Sequence, residues 1–402
     1  MKILYFHQHF ITPVHAGGTR SYEFAKQLIR RGHAVCMVCG EFSPLALSQT
    51  KDTGIKRGMI DDIEVIQIAL PYSNNDGIVK RAFTFVRFAR KGIKIARKET
   101  YDLLFATSTP LTAGIPGIVA KLFRKKKFVF EVRDLWPELP KALGMKNPFF
   151  LGGMRLLEWL SYRFADACIG LSPGICEGIR KRAGQNKPVV MIPNGCDLEI
   201  FKPDLRKEIC LKGVKPTDKI AVFTGAHGIA NGLDAVLNAA KALKQIGRDD
   251  IKLVFIGDGK VKDHLIKRSQ NEALDNFLFF DMMPKNELNA IVASADMGLM
   301  ILANVPAFYY GASPNKFFDY ISAGLPVIIN YPGWLAEIIT DHHLGIAVPP
   351  DNAAAFAGGL IKLADDCELR KLYGMNARKY AEHNFSREQL ANEFVSFLES
   401  SQ

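Results

Sequence analysis

No apolar run in this sequence reaches the ~20 residues that a membrane-spanning helix requires. The longest candidate, near Ala295 to Ala312, is interrupted by Asp296 and Pro306. The chain shows no secretory leader: it opens on a strand-like run, Met1 to Phe6, with Lys2 as its only charge, so a cytoplasmic location is expected. Cysteine is sparse. Seven residues, an odd number scattered over 402, do not make a disulfide framework and fit a reducing compartment. Cys36 and Cys39 form a C-x-x-C, but they lie in a strand-like stretch where residues three apart point to opposite faces, so neither a metal nor a redox role is expected. His7 and His9, with His15 nearby, lack the acid or cysteine that would complete a metal set, and read as site-lining residues. There is no low-complexity segment and no recognised nucleic-acid-binding motif.

Acidic residues are scarce in one half only. Residues 1–200 hold 30 Lys and Arg against 17 Asp and Glu, whereas residues 201–402 hold 22 against 24. The basic excess concentrates in Lys80 to Lys98, which has eight cations, three phenylalanines and no acid, and again in Arg124-Lys125-Lys126-Lys127. Cations mixed with Phe and Ile at helical spacing suit a helix lying on an anionic membrane surface. The same pattern also suits a surface helix whose apolar face packs on its own core.

A chain of this length exceeds one ordinary core, so two domains are expected. In the first half, strand-like runs (Lys2 to Phe6, Val35 to Cys39, Leu103 to Ala106, Phe128 to Val132, Ala167 to Leu171, Val189 to Ile192) alternate with helical segments such as Thr19 to Arg31. Asp197 to Asp218 reads as a linker. The alternation then restarts with Ile220 to Thr224, Lys252 to Ile256, Phe277 to Phe280, Gly298 to Ile301 and Val327 to Ile329. The pattern predicts an α/β chain of two Rossmann-like, doubly wound domains facing a cleft: 1–198, with a C-terminal helix over 380–402 packing back on it, and 199–379.

In such sheets ligands bind beyond the carboxyl ends of the strands. Gly17-Gly18 follows the first strand and Gly225-Ala226-His227-Gly228 follows the first strand of the second half. Both permit close backbone approach to a phosphate, with His227 as a further donor. Arg133-Asp134-Leu135-Trp136-Pro137-Glu138 ends another strand; Asp134 and Glu138 could bind sugar hydroxyls or act as base, or pair with Arg133. In Ser313 to Val327, Ser313 reads as an N-cap, Pro314 as the first helical residue, Gly324 as the helix stop and Val327-Ile328-Ile329 as a strand. Lys316 then falls in the first turn, where the helix dipole disfavours a cation. Either a bound anion or a local ion pair with Asp319 would account for it.

Taken in order, Gly17-Gly18-Thr19-Arg20, Arg31-Gly32-His33, Arg133 to Glu138, Ile192-Pro193-Asn194-Gly195-Cys196-Asp197, Gly257-Asp258-Gly259 and Ser313 to Val327 resemble the family 4 glycosyltransferases of GT-B fold. They are similar to the branch of bacterial O-antigen and capsule enzymes that transfer L-fucosamine-type sugars, over almost the whole length. The resemblance implies a retaining transferase with a UDP-sugar donor held by the second domain and an acceptor held by the first, no cofactor and no required metal. It places Asp319 at the ribose-binding second glutamate of the family's E-x7-E motif. Gly311 stands where the first glutamate belongs. The family's two diphosphate cations fall near Ala226 and Asn231, which leaves Lys316 as the replacement, and its catalytic-site histidine falls near Arg133. The expected catalytic set is therefore Arg133, Asp134 and Glu138. The expected nucleotide-sugar set is Gly17, Gly18, Gly225, His227, Gly228, Ser313, Asn315, Lys316 and Asp319. The expected acceptor is a polyprenyl-diphosphate-linked saccharide at the inner face of the cytoplasmic membrane, reached through Lys80 to Lys98, with no nucleic-acid partner. A UDP-sugar epimerase of the same architecture and a catalytically inactive nucleotide-binding or membrane scaffold are the alternatives.

Overall fold

The computed structural model describes residues 1–15, 17–41, 47–49, 54–71, 77–108, 110–142, 144–207 and 210–401. It contains two compact units: Met1–Pro13 with Gly18–Pro193 and Glu388–Gln402, and Val14–Gly17 with Asn194–Arg387. The divisions fall at 193/194 and 387/388, against the expected 198/199 and 379/380.

The first unit is built on strands β1 (Lys2–Phe6), β2 (Ala34–Cys39), β3 (Ser48–Gln49), β4 (Ile55–Ile60), β5 (Ile63–Ile68), β6 (Leu103–Thr107), β7 (Lys127–Val132), β8 (Ala167–Gly170) and β9 (Val189–Met191). They form one sheet in the order 3-4-5-2-1-6-7-8-9. Pairing is parallel from β5 to β9 and antiparallel for β3–β4 and β4–β5. The β4–β5 hairpin was not anticipated. Its two-residue turn is Asp61-Asp62 with φ of +47° and +69°, a left-handed conformation that Asp tolerates and that matches strand twist. Alternation along each strand feeds two cores. Tyr5, Phe24, Phe105 and Phe394 meet on one face, under α1 (Arg20–Arg30) and the C-terminal helix Arg387–Ser400. Phe6, Phe88, Phe128, Phe130 and Tyr162 fill the other, under α2 (Ile78–Lys98), α3 (Ile115–Arg124), α4 (Glu138–Ala142), α5 (Pro148–Phe164) and α6 (Pro173–Ala183). Cys36 lies in the second core and Cys39 in the first, both as buried thiols.

The second unit carries β10 (Lys219–Thr224), β11 (Ile251–Ile256), β12 (Phe277–Phe280), β13 (Met297–Met300), β14 (Val327–Ile329) and β15 (Gly345–Ala347), all parallel in the order 12-11-10-13-14-15. The strand order reverses between β10 and β13, so the segments that follow these two strands flank a switch point, where such sheets take ligands. In the first unit the reversal lies between β1 and β6. The candidate residues fall largely on those segments.

Candidate active site

In the second unit, two glycine turns close the carboxyl ends of β10 and β11. Gly257 has φ +149°, and a Cβ there would lie 2.0 Å from the Gly225 carbonyl oxygen; at Gly259, φ +156°, it would lie 2.5 Å from the His227 oxygen. The backbones of the two turns touch, and a side chain at either glycine would force them apart. The His227 N–H donates to Asp258 O (2.8 Å) and the Gly225 N–H to Ile256 O (2.9 Å), fixing the first turn against the second.

Against this turn stands the helix Asn315–Ser322. It begins one residue later than expected. Pro314 takes the cap position, no side chain caps the helix, and the Ser313 hydroxyl instead accepts from the Asn194 N–H (3.2 Å). Asn194 Nδ2 also donates to Ser313 O and the Trp334 indole N–H to Ala312 O, pinning the approach to the helix. Tyr320, on the helix, accepts from the Thr224 N–H at the end of β10 (2.9 Å), locking the helix to the glycine turn. Gly324, at φ +66°, terminates the helix as its position suggests.

Lys316 therefore sits in the first turn of a helix with a free N-terminus. Its ammonium lies 3.8 Å from the centroid of the Phe223 ring and 3.4 Å from Asn231 Oδ1. The Asn231 amide is oriented by its own donation to Ala226 O (2.7 Å), which leaves its oxygen facing the lysine. A Cβ on Gly225 would meet Lys316 Cε at 3.5 Å, so the lysine lies along the turn. No carboxylate pairs with it among the described residues. Burial alone brings its pKa down to about 7. Asn315 Oδ1, one residue before it, is buried without a partner.

The local Lys316–Asp319 pair is not formed. Asp319 is buried and lies 3.5 Å from Lys285, an ion-pair distance rather than a well-formed hydrogen bond, so Oδ1 keeps acceptor capacity. Burial pushes its carboxyl up, partly offset by Lys285. Lys285 also reaches Asp197 (2.5 Å), which in turn holds Arg387, whose Nη2 donates to Gly195 O (2.7 Å). Burial raises Asp197, but Arg387 and Lys285 outweigh it and hold the carboxyl below its ordinary range. Sequence reading missed this buried network. The Asp197 of the Asn-Gly-Cys-Asp turn was its one visible sign.

One expected side-chain ligand is placed otherwise. The His227 ring is fully buried among Phe223, Phe255 and Phe279, with neither nitrogen bonded, and burial takes its pKa down to about 4. It is a neutral part of the aromatic core, and only its backbone serves the turn. Gly228 precedes a short 3-10 turn, Ile229–Asn231, and a Cβ on it would meet Asn231 Nδ2 at 3.9 Å.

In the first unit, Arg133 follows β7 and its N–H donates to the Ser108 hydroxyl (2.8 Å), while Nη1 lies 3.5 Å from His7 Nε2. Burial and then Arg133 hold the His7 imidazole well below its ordinary range; burial, Arg133 and Arg81 take His9 down to about 4. Both rings are neutral at pH 7, so His7 can accept from the guanidinium. Asp134 is beside them, its carboxyl raised by burial against the pull of Arg133. Glu138 is not part of this group. It pairs with Arg182, which also holds the buried Glu158 (2.9 Å); Glu158 in turn accepts from the Trp136 N–H and the Tyr162 hydroxyl. That arrangement closes the α4–α5–α6 corner and spends Glu138 on structure. Gly17, exposed with φ +136° and the last residue of the second unit's short segment, and Gly18 of the first unit precede α1, whose N-terminus also lacks a side-chain cap. The first unit also holds a pair the sequence reading overlooked: fully buried Arg20 binds Glu131 (2.7 Å) and Ile192 O (2.8 Å), and Thr107 donates to the same carboxylate. An acid inside the apolar run Phe128 to Val132 was the available signal.

The chain is similar to known proteins. Residues 17–200 match the family described as Glycosyltransferase Family 4, and residues 207–380 match Glycosyl transferases group 1. A probable glycosyltransferase, WbjE, of Pseudomonas aeruginosa is 24% identical over 74% of this chain and 75% of its own length. The N-acetylgalactosamine-N,N'-diacetylbacillosaminyl-diphospho-undecaprenol 4-alpha-N-acetylgalactosaminyltransferase of Campylobacter jejuni is 26% identical over 64% of this chain and 67% of its own. Among solved structures, HepE of Anabaena in complex with UDP and glucose aligns over 100% of both chains with a TM-score of 0.70 at 16% identity, a likeness of fold.

Proposed function

Since the chain belongs to the family 4 glycosyltransferases of GT-B fold, we propose that it moves a sugar, of the N-acetylfucosamine type, with retention from a UDP-sugar to a polyprenyl-diphosphate-linked saccharide in cell-surface polysaccharide synthesis. The observation that carries the reading is Lys316: a half-buried cation with no carboxylate partner among the described residues, at a helix start without a side-chain cap, beside a glycine turn at the switch point. Helix N–H groups and the ammonium together supply what a nucleoside diphosphate needs as it leaves. UDP in the Anabaena structure and the diphospho-undecaprenol of the Campylobacter relative's name support the donor and acceptor classes.

The mechanism follows from where charge develops. The bond between the anomeric carbon and the donor's phosphate oxygen breaks, and the electron pair stays on the diphosphate. Lys316 and the free N–H groups of Asn315–Ser322 stabilise that charge more in the transition state than before it. An acceptor hydroxyl attacks the same face of the sugar, and its proton passes to the departing phosphate oxygen, so no protein base is required. Asp319 Oδ1 serves a ribose hydroxyl. Arg133 and Asp134, on the first unit, orient the acceptor, with neutral His7 holding the guanidinium. The basic helix α2, eight cations and no acid in Lys80 to Lys98, holds the chain to the anionic inner face of the cytoplasmic membrane; among the described residues no helix is long and apolar enough to cross it.

The test is a panel of UDP-sugars with a lipid-diphosphate monosaccharide acceptor. A disaccharide-lipid whose formation requires both supports the proposal. UDP-sugar turnover without acceptor favours an epimerase, and nucleotide binding without turnover an inactive scaffold.

A further inference from the structure

Lys285 is a buried ammonium shared unequally between two carboxylates. It opens the helix Lys285–Ser294 of the second unit and lies 2.5 Å from Asp197 Oδ2 but 3.5 Å from Asp319 Oδ1. Arg387 takes Asp197 Oδ1. Two positive and two negative side chains, all buried, thus form one neutral group. Burial alone would lower Lys285, but Asp319 and Asp197 outweigh it and hold the ammonium above its ordinary range, so it stays charged. Asp197 has claimed the lysine, and Asp319 feels its charge without a hydrogen bond: Oδ1 is buried and unpartnered. Four residues earlier on the same helix, Asn315 Oδ1 is buried and unpartnered as well. Residues four apart share a helix face, so this face offers two acceptors to one ligand. A vicinal diol brings two O–H donors.

The distance of the lysine matters in both directions. Drawn fully onto Asp319, it would spend the carboxylate on an internal pair. Removed, it would leave burial to protonate the acid, because burial is the largest influence on Asp319 and pushes its carboxyl up, with Lys285 first among the charges that oppose it. A protonated acid is a weaker acceptor than a carboxylate. Besides Lys285 and Asp197, Asp319 feels Arg387, Tyr320 and the Cys196 thiol, the last two held neutral by burial. We infer that Lys285, drawn back by Asp197, is a positioning residue: it balances the charge of Asp319 without spending the carboxylate, and so gives the site its preference for a ribose diol over deoxyribose. This rests on Asp319 as the ribose ligand proposed above, and names the residues that make it selective.

The test compares UDP with 2′-deoxy-UDP and 3′-deoxy-UDP by titration calorimetry on the full-length protein. All three carry the same diphosphate, so Lys316 and its titration cancel in the ratio of affinities. The parent should prefer UDP over at least one deoxy ligand by about 10- to 100-fold. In Lys285→Met that preference should shrink about five- to tenfold at pH 7, the difference between a charged and a neutral acceptor, and return as pH is raised and Asp319 ionises. In Asp197→Asn, where Lys285 is released to close on Asp319, the preference should shrink too, and raising the pH to 9 should not restore it. A Lys285→Met protein that loses UDP and the deoxy ligands equally makes the lysine merely structural and overturns the inference. A parent without the preference, or an Asp197→Asn protein that keeps it, overturns it as well, and Asp197→Asn decides alone should Lys285→Met not fold. Uridine in the same series keeps the readings apart: UDP binding no tighter than uridine, with a diol preference that still follows Lys285, would sink the diphosphate site and leave this role standing.

Discussion

Replacing Lys316 by methionine separates what the residue does for the fold from what it does for a ligand. The ammonium lies over the Phe223 ring with one neutral oxygen, Asn231 Oδ1, at 3.4 Å. Burial lowers its pKa from the ordinary 10.5 to about 7. Each pH unit of that displacement corresponds to about 1.4 kcal/mol, so the charged form costs the folded chain at most about 4–5 kcal/mol below pH 7, and less because the half-buried side chain keeps some solvent. The sign follows from proton counts. Between pH 7 and 10.5 the unfolded chain holds a proton on Lys316 that the folded chain has released, so the residue's contribution to stability improves as pH rises through that window and is most unfavourable below it. Methionine keeps the stem on Phe223 without the charge. Lys316→Met should therefore be more stable than the parent at pH 6, by about 2 kcal/mol once lost packing and the lost Asn231 contact are discounted, with the difference shrinking toward pH 10.

The same substitution should weaken UDP about 10- to 100-fold, the range for a lost hydrogen bond to a charged group, and uridine far less. A diphosphate restores the proton, so titration calorimetry at pH 8 in buffers of different ionisation heat should report uptake of nearly one proton in the parent and none in the variant. Denaturant midpoints at pH 6 and 9 complete the set. A variant that is less stable at pH 6, or that loses UDP and uridine equally, refutes the reasoning.

Arg20→Met leaves the Glu131 carboxylate buried without its partner, and a loss of about 3–5 kcal/mol is expected from urea unfolding. Arg20→Met with Glu131→Leu should recover much of it, and a double variant as weak as the single would show that the pair is not the source. Gly257→Ala sets a Cβ 2.0 Å from Gly225 O; the turn must move, and UDP binding should fall at least about tenfold with the first unit's unfolding unchanged. Asp197 is held below its ordinary range, so the stability it supplies is present above about pH 4 and lost as pH falls through its folded value. Asp197→Asn should destabilise at pH 7 and flatten the acid limb of the stability profile; an unchanged limb would place the dependence elsewhere. Arg133→Gln should lower transfer at saturating donor while UDP affinity stays as it was, because Arg133 and Lys316 belong to different units; parallel loss of both would argue against an acceptor role.

Much of the fold was legible because parallel strands buried on both faces read as continuous apolar runs, and such runs stand out from Lys2 to Phe6 through Val327 to Ile329. What escaped were elements with other signals. The β4–β5 hairpin turns on Asp61-Asp62 rather than a glycine, and β15 has only three residues beginning at Gly345. The site was legible where a residue broke a local rule, as Lys316 does against the helix dipole. Placement relative to a helix start could slip by one, as at Ser313, because Pro314 suits either position. Side-chain direction could not be read at all: His227 lies in a phosphate-binding position by sequence, yet its ring turns into the Phe223–Phe255–Phe279 cluster.

Two residues, Lys316 and Glu131, break the pattern around them to a similar degree, and the contrast between them shows when such a break points to a ligand. Glu131 is a carboxylate in an apolar strand; the chain answers it from within, through Arg20 and Thr107. Asp319 is answered likewise, though less fully, by Lys285 at 3.5 Å. Lys316 has a ring face and an amide oxygen, neither of which balances an ammonium, and the helix N-terminus beside it adds positive potential rather than relieving it. An ammonium so placed costs the fold stability that an apolar side chain would not, which is the condition under which an external anion gains most from binding there. If a phosphate is that anion, as proposed, the stability gained by Lys316→Met is the part of the fold's stability given up for the ligand.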